Sequence, residues 1–145
     1  MLRGNAPAKI DAKGRLKIPS AFRGHILDSW GSDFYVTSIT GQSARVYPLL
    51  VWQEIEERLA QIPSFNPAKK KFLDRTNFYG QETAMDKQGR IALPTELRKS
   101  AEMVGEVAVL GYLNYLEVCN KERVRARLGE LTEQDEMDIS TELGV

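Results

Sequence analysis

Two arginines set the chemistry open to this chain. Arg15 closes the phrase Asp11-Ala12-Lys13-Gly14-Arg15, and Arg90 closes Asp86-Lys87-Gln88-Gly89-Arg90, with acid, glycine and guanidinium in the same order. A guanidinium offers paired donors that match a phosphate or the O6/N7 edge of guanine. An aspartate four residues earlier, across a tight turn, can accept from backbone amides and hold that guanidinium in one orientation. From the residues alone two readings stand. The arginines face outward to an anion, or they pair with Asp11 and Asp86 and only close the turn.

Other chemistry has little to work with. Catalysis needs a nucleophile with its base, a carboxylate pair or a metal cluster. His25 is the only histidine and is placed in a short helix as a structural residue. Cys119 is the only cysteine, which excludes a disulfide within the chain and a Cys-rich zinc site, and its apolar segment marks it as a small core residue. Each turn holds one glycine, too few for a phosphate-binding loop. The sequence therefore predicts a non-enzyme with no cofactor, no metal and no small-molecule substrate. No stretch approaches the ~20 apolar residues of a membrane span, and residues 1–11 lack the apolar core of a signal peptide, so a cytoplasmic protein is expected.

Formal charge sums to zero, but unevenly. Residues 129–145 hold six acids and no Lys or Arg, which leaves twenty bases against fourteen acids in residues 1–128, +6 in the body and −6 in the tail. Among the first 25 residues six bases (Arg3, Lys9, Lys13, Arg15, Lys17, Arg23) face Asp11 alone. Such an excess makes a positive local field whatever the total.

The elements that must hold the arginines are repeated with them. Residues 10–23 and 85–98 align as Asp11/Asp86, Gly14/Gly89, Arg15/Arg90, Pro19/Pro94 and Arg23/Arg98, with hydrophobic type kept at Ile10/Met85, Leu16/Ile91, Ile18/Leu93 and Phe22/Leu97. Residues 8–18 read as a β-hairpin about Asp11-Ala12-Lys13-Gly14. In its outgoing arm, strand alternation sends Leu16 and Ile18 to one face and Arg15 and Lys17 to the other. The second copy puts Arg90 and Ala92 outside. Pro19 and Pro94 end these strands, each opening a short helix at its first position. Arg23 and Arg98, on those helices, are assigned a structural or interface role.

Downstream, residues 33–39 and 44–48 read as strands. Trp52, Ile55, Leu59 and Ile62 recur at helical spacing up to Pro63. Strands at 106–112 and 114–120 and a helix at 121–129 answer them in the second half. Asn66 and Pro67 suit the N-cap and first turn of a connecting helix whose Lys69, Lys70 and Lys71 serve solubility or touch phosphate. The expected organisation is one compact α+β, β-rich chain: a first unit at 1–62, a connector at 63–80, a second unit at 81–128 and an acidic, mobile tail at 129–145. That tail serves solubility or competes for the basic face.

The doubled pattern Asp-x-x-Gly-Arg-hydrophobic-x-hydrophobic-Pro-x-x-hydrophobic-Arg, introduced by Met-Leu-Arg-Gly-Asn, resembles the MraZ family over nearly the whole chain. A single copy resembles DNA binders of the AbrB and antitoxin type. The resemblance implies a tandem AbrB-like swapped-hairpin β-barrel with internal pseudo-twofold symmetry, assembled into a ring homo-oligomer, an octamer or larger. It implies a nucleoid-associated regulator of the division and cell-wall gene cluster that binds direct repeats of double-stranded DNA in its promoter. The family's DNA contacts fall on Asp11 with Arg15 and on Asp86 with Arg90, in turns shaped by Gly14 and Gly89, with Arg3 and Lys13 as further contacts; the residues' own placement adds Lys17 and Lys87 beside the arginines as candidates. Gln88 stands where the first copy has Lys13, and Lys87 where it has Ala12, so equal DNA affinity of the two turns does not follow from the repeat. A non-catalytic scaffold ring and an RNA binder are the rival classes, the latter disfavoured because the basic turns hold no aromatic residue.

Overall fold

A computed structural model describes residues 1–145. The chain forms β1 (Asn5–Lys9), β2 (Arg15–Lys17), α1 (Ser20–Trp30), β3 (Asp33–Thr37), β4 (Ala44–Pro48), α2 (Leu49–Ala60), α3 (Pro67–Phe78), β5 (Gln81–Ala84), β6 (Arg90–Ala92), α4 (Thr95–Ser100), β7 (Glu106–Tyr112), β8 (Tyr115–Cys119), α5 (Lys121–Leu128) and α6 (Glu133–Leu143). It is a mixed α+β, sheet-rich fold. Six strands make an antiparallel sheet in the order β1-β7-β8-β4-β3-β5, and β2 pairs with β6 as a separate ribbon. No helix is long and apolar enough to cross a membrane.

The repeat builds the core from both copies at once. Leu16 and Ile91, Ile18 and Leu93, Phe22 and Leu97, and Ile26 and Ala101 are matched positions, and all eight lie in one cluster of 19 buried residues. Strand alternation puts the apolar face of the ribbon on this cluster, and α1 and α4 follow it inward through Phe22, Ile26 and Leu97. A smaller cluster of Tyr47, Val51 and Trp52 sits where α2 covers the other face of the sheet, joined by Tyr35, Ile55 and Phe72. Asn66 caps α3 by accepting from the amides of Ala68 and Lys69 at 2.9 and 3.1 Å, ahead of Pro67 at the first turn.

Two local expectations are corrected, and the acidic tail gains an element that its composition did not predict. The strands flanking the first turn do not form a hairpin ladder. β1 pairs with β7 from Asn5–Leu110 to Lys9–Glu106, β2 pairs with β6, and only the bridge Ile10–Leu16 joins the two arms. Leu16 of β2 and Ile91 of β6 face each other and are both buried in the shared core, which favours the long-range pairing. Pro19 and Pro94 stand at the N-caps of α1 and α4, not inside them, with ψ near 140°. Their carbonyls accept from the amides of Phe22, Arg23 and Arg98. The acidic tail is helical. Thr132 and Asp135 form a reciprocal capping box, and Glu133, Asp135 and Glu136 complement the amide end of the α6 dipole.

Candidate nucleic-acid interface

Each arginine is fixed by its own turn. Asp11 Oδ1 accepts from the amides of Lys13 and Arg15 at 3.0 and 2.9 Å, and its Oδ2 accepts from Arg15 Nε at 2.9 Å. Asp86 repeats the pattern, with Gln88 and Arg90 amides at 2.8 and 2.9 Å and Arg90 Nε at 2.9 Å. Gly14 and Gly89 take φ of +77° and +78°, left-handed values that a β-carbon disfavours. The bonds from the arginine amides, above all, hold both carboxyls below the usual aspartate range, with the guanidinium contacts adding to that direction.

The clamp uses Nε and leaves the fork free. Neither Arg15 nor Arg90 makes a protein hydrogen bond through its terminal nitrogens, and their side chains stay 31 % and 27 % exposed. The two readings left open by the residues are therefore compatible. One carboxylate oxygen closes the turn while the ion pair aims the remaining donors outward.

The turns sit at opposite ends of one ribbon. In the β2–β6 register Arg15 faces Ala92, Leu16 faces Ile91 and Lys17 faces Arg90, and the ladder runs on through Ile18 N to Gly89 O at 2.9 Å and Leu93 N to Gly14 O at 3.0 Å. Arg15 and Arg90 are thus diagonal neighbours on the outer face, about 7–8 Å apart by strand geometry. Lys17 stands beside Arg90 on that face, and Lys13 and Lys87 project exposed from the turns. Arg3 is not brought to the ribbon. It precedes β1 at the end away from the first turn, across a strand that alone spans about 13 Å.

Arg23 and Arg98 supply a feature that sequence reasoning left unspecified. Arg98 lies over Gly14 and Arg23 over Gly89, so close that a β-carbon on either glycine would come within 2.5–2.6 Å of the guanidinium. Each is anchored to a carbonyl at the end of its own strand, Arg23 Nη2 to Ile18 O at 2.8 Å and Arg98 Nε to Leu93 O at 3.2 Å. Every turn is roofed by an arginine from the other copy. The signal was present in the repeated Arg23/Arg98 pair, but Gly89 lies 66 residues from Arg23 and Gly14 lies 84 from Arg98, and no local pattern points to either.

Elsewhere the titratable groups serve the fold. Cys119 is buried, and burial, with its bond to the Glu117 carboxylate at 3.0 Å, pushes its thiol up to about 12. Burial also opposes charge on Glu117, yet bonds from Cys119 and Arg127, the latter at 2.6 Å, keep its carboxyl below the ordinary glutamate value. His25 is exposed, packs edge-on against Trp30 and meets the chain's amino terminus at 3.1 Å. Phe22, Tyr47 and Trp52 are buried and Tyr35 is half-buried, while Phe65 is exposed between α2 and α3 and Phe78 at the end of α3.

This arrangement defines a class: an internally repeated α+β protein that displays two carboxylate-clamped arginines on a β-ribbon. The particular family follows from comparison with known proteins. The model of the family described as "MraZ protein, putative antitoxin-like" matches residues 1–75 and 80–143. The chain is 49 % identical over 142 residues to a protein of Acidobacterium capsulatum, covering 97 % of each. It is 46 % identical over 148 residues to one of Koribacter versatilis, covering all of both, and 37 % identical over 143 residues to one of Pediococcus pentosaceus, covering 99 % of this chain and 96 % of that one. All three are named transcriptional regulator MraZ. The chain belongs to the MraZ family.

Proposed function

We propose that this chain is a sequence-specific DNA-binding transcriptional regulator of the division and cell-wall gene cluster, acting in the cytoplasm at the nucleoid. The observation that carries the reading is the ribbon: Arg15 and Arg90, held by Asp11 and Asp86, share one outward face with Lys17. A two-stranded ribbon fits a major groove about 12 Å wide. Terminal guanidinium donors read base edges, while Lys13, Lys17 and Lys87 hold phosphates. Arg3, distant within the chain, contributes only where a neighbouring protomer or a bend in the DNA brings the backbone to it.

With about three or four phosphates neutralised per chain, one protomer binds weakly at physiological salt, and occupancy needs several protomers on successive sites. A closed head-to-tail ring, an octamer or larger, gives every subunit the same polarity, which suits direct repeats in a promoter better than a palindrome. The pairing of β2 with β6 supports the accompanying account of the fold as a tandem AbrB-like swapped-hairpin barrel, with units at 1–62 and 81–128.

The test is binding of Arg15→Ala and Arg90→Ala chains to a duplex from the chain's own upstream region across a salt series. Each substitution is expected to cost about 1–3 kcal/mol and to narrow the gap between that duplex and a scrambled one. Wild-type affinity and discrimination in both variants overturn the reading.

A further inference from the structure

The two ends of the ribbon carry different charge. The antiparallel bridge Ile10–Leu16 sets Lys9 level with Lys17, and the β2–β6 register sets Lys17 level with Arg90. Three cations, Lys9, Lys17 and Arg90, therefore stand side by side across three neighbouring strands at the end that carries the second turn. At the other end the matched positions give Ala84, Ala92 and Arg15. There only the arginine is charged.

No carboxylate pairs directly with the lysines of this row, although Lys9, after the bonded Lys121, helps lower the nearby Glu106 carboxyl. Lys9 and Lys17 are exposed, and neither makes a side-chain hydrogen bond or ion pair. Glu106 faces Lys9 across β1 and β7, but Lys121 already occupies its carboxylate. Both lysines border one open cleft of about 420 Å³, together with Ser20, at the start of α1, and Arg23. The helix that answers α1 in the second copy begins Thr95-Glu96, with an acid where α1 has Ala21.

Resting on the DNA-binding reading above, we infer that Lys9 and Lys17 form a phosphodiester track beside the base-reading Arg90, so the chain grips the DNA backbone chiefly at the second turn. Strands about 4.8 Å apart spread the three cations over about 10 Å. One DNA strand presents a phosphate every 3.4 Å of axial rise while winding about the axis, so the two lysines, about one strand spacing apart, reach about two successive phosphates. In the sequence each turn carries one lysine, Lys13 in the first and Lys87 in the second, so composition does not rank them. The fold does, because it brings Lys9 and Lys17 of the first copy to the Arg90 end. The track supplies affinity without regard to sequence and gives each protomer a fixed direction on the duplex.

The experiment measures binding of the full chain to a random-sequence duplex between 50 and 200 mM salt. The Lys9→Ala/Lys17→Ala double variant is compared with wild type and with Lys70→Ala/Lys71→Ala on α3, which removes the same charge elsewhere. Far-UV circular dichroism checks that all three are folded. Loss of two phosphate contacts flattens the slope of log K against log salt by about 1.8, so the row variant should lose about tenfold less affinity than wild type over that range. The α3 variant should keep the wild-type slope. A row variant with the wild-type slope, or an α3 variant that flattens as much, overturns the track while leaving the role of Arg15 and Arg90 intact. A wild-type chain that binds no duplex at low salt sinks both proposals.

Discussion

At the scale of single residues, the aspartates decide what the arginines can do. Asp11 and Asp86 are drawn below their ordinary range first by the amides of Arg15 and Arg90 and then by the guanidiniums. A carboxyl depressed in the folded chain stabilises it above the unfolded value of about 3.9, and that contribution is lost as pH falls through the lower folded value. Near neutrality both clamps are ionised and closed, so DNA binding between pH 6 and 8 should not respond to them. NMR titration of the carboxyl carbons should place both aspartates below about 3.9. In Arg15→Ala, Asp11 should rise only part of the way back, because the amide bond survives the substitution, and Asp86 should not move. Titration of Asp11 at the ordinary aspartate value in the wild type would show that the clamp does not exist in solution. The acid-to-arginine spacing made this ion pair legible in the sequence. That it would spare the guanidinium fork was not, since the choice of Nε over the terminal nitrogens depends on a turn geometry that spacing does not encode.

At the scale of elements, the turn and the helix that roofs it behave as one device spread over both copies. Gly14 is required twice, by its φ of +77° and by the Arg98 guanidinium lying where a β-carbon would go. Gly14→Ala should therefore cost more than the 1–2 kcal/mol of a left-handed residue alone. Arg98→Ala should remove the steric part and leave the backbone part, so the double variant should be less destabilised than the two single costs summed. Chemical denaturation of the four chains measures this, and simple additivity would mean that the arginine moves aside freely. Strand and helix placement was largely readable, because alternation at residues 33–37 and 44–48 and the Asn66-Pro67 cap act over a few neighbouring residues. Strand partnership was not. A turn of the type at Asp11-Gly14 normally predicts pairing of its own flanks, whereas here the flanks serve different sheets.

For the molecule as a whole, the repeat is a statement about pairing. β1 depends on β7, β2 on β6, and β5 on β3, so strands of the first copy are completed by strands of the second. The buried faces follow the same rule, with Leu16, Ile18, Phe22 and Ile26 meeting their counterparts Ile91, Leu93, Leu97 and Ala101 in one core. The sequence showed the duplication and its length, but the same duplication suits two separate hairpin units equally well, because the repeat fixes only which residues face inward. Which copy they face is set by the closure of the sheet. Each copy alone would expose the apolar faces of β2 or β6 and leave the ladder of β1 or β5 without a partner, and isolated strands of this length are not stable in water. A fragment of residues 1–62 should accordingly show no cooperative thermal transition by circular dichroism, and neither should residues 63–145. Mixing the two should restore β-signal and a single transition that depends on concentration, as expected when folding and association are one event. Independent cooperative unfolding of either fragment would contradict the interleaved core and with it the placement of both arginine turns on one ribbon.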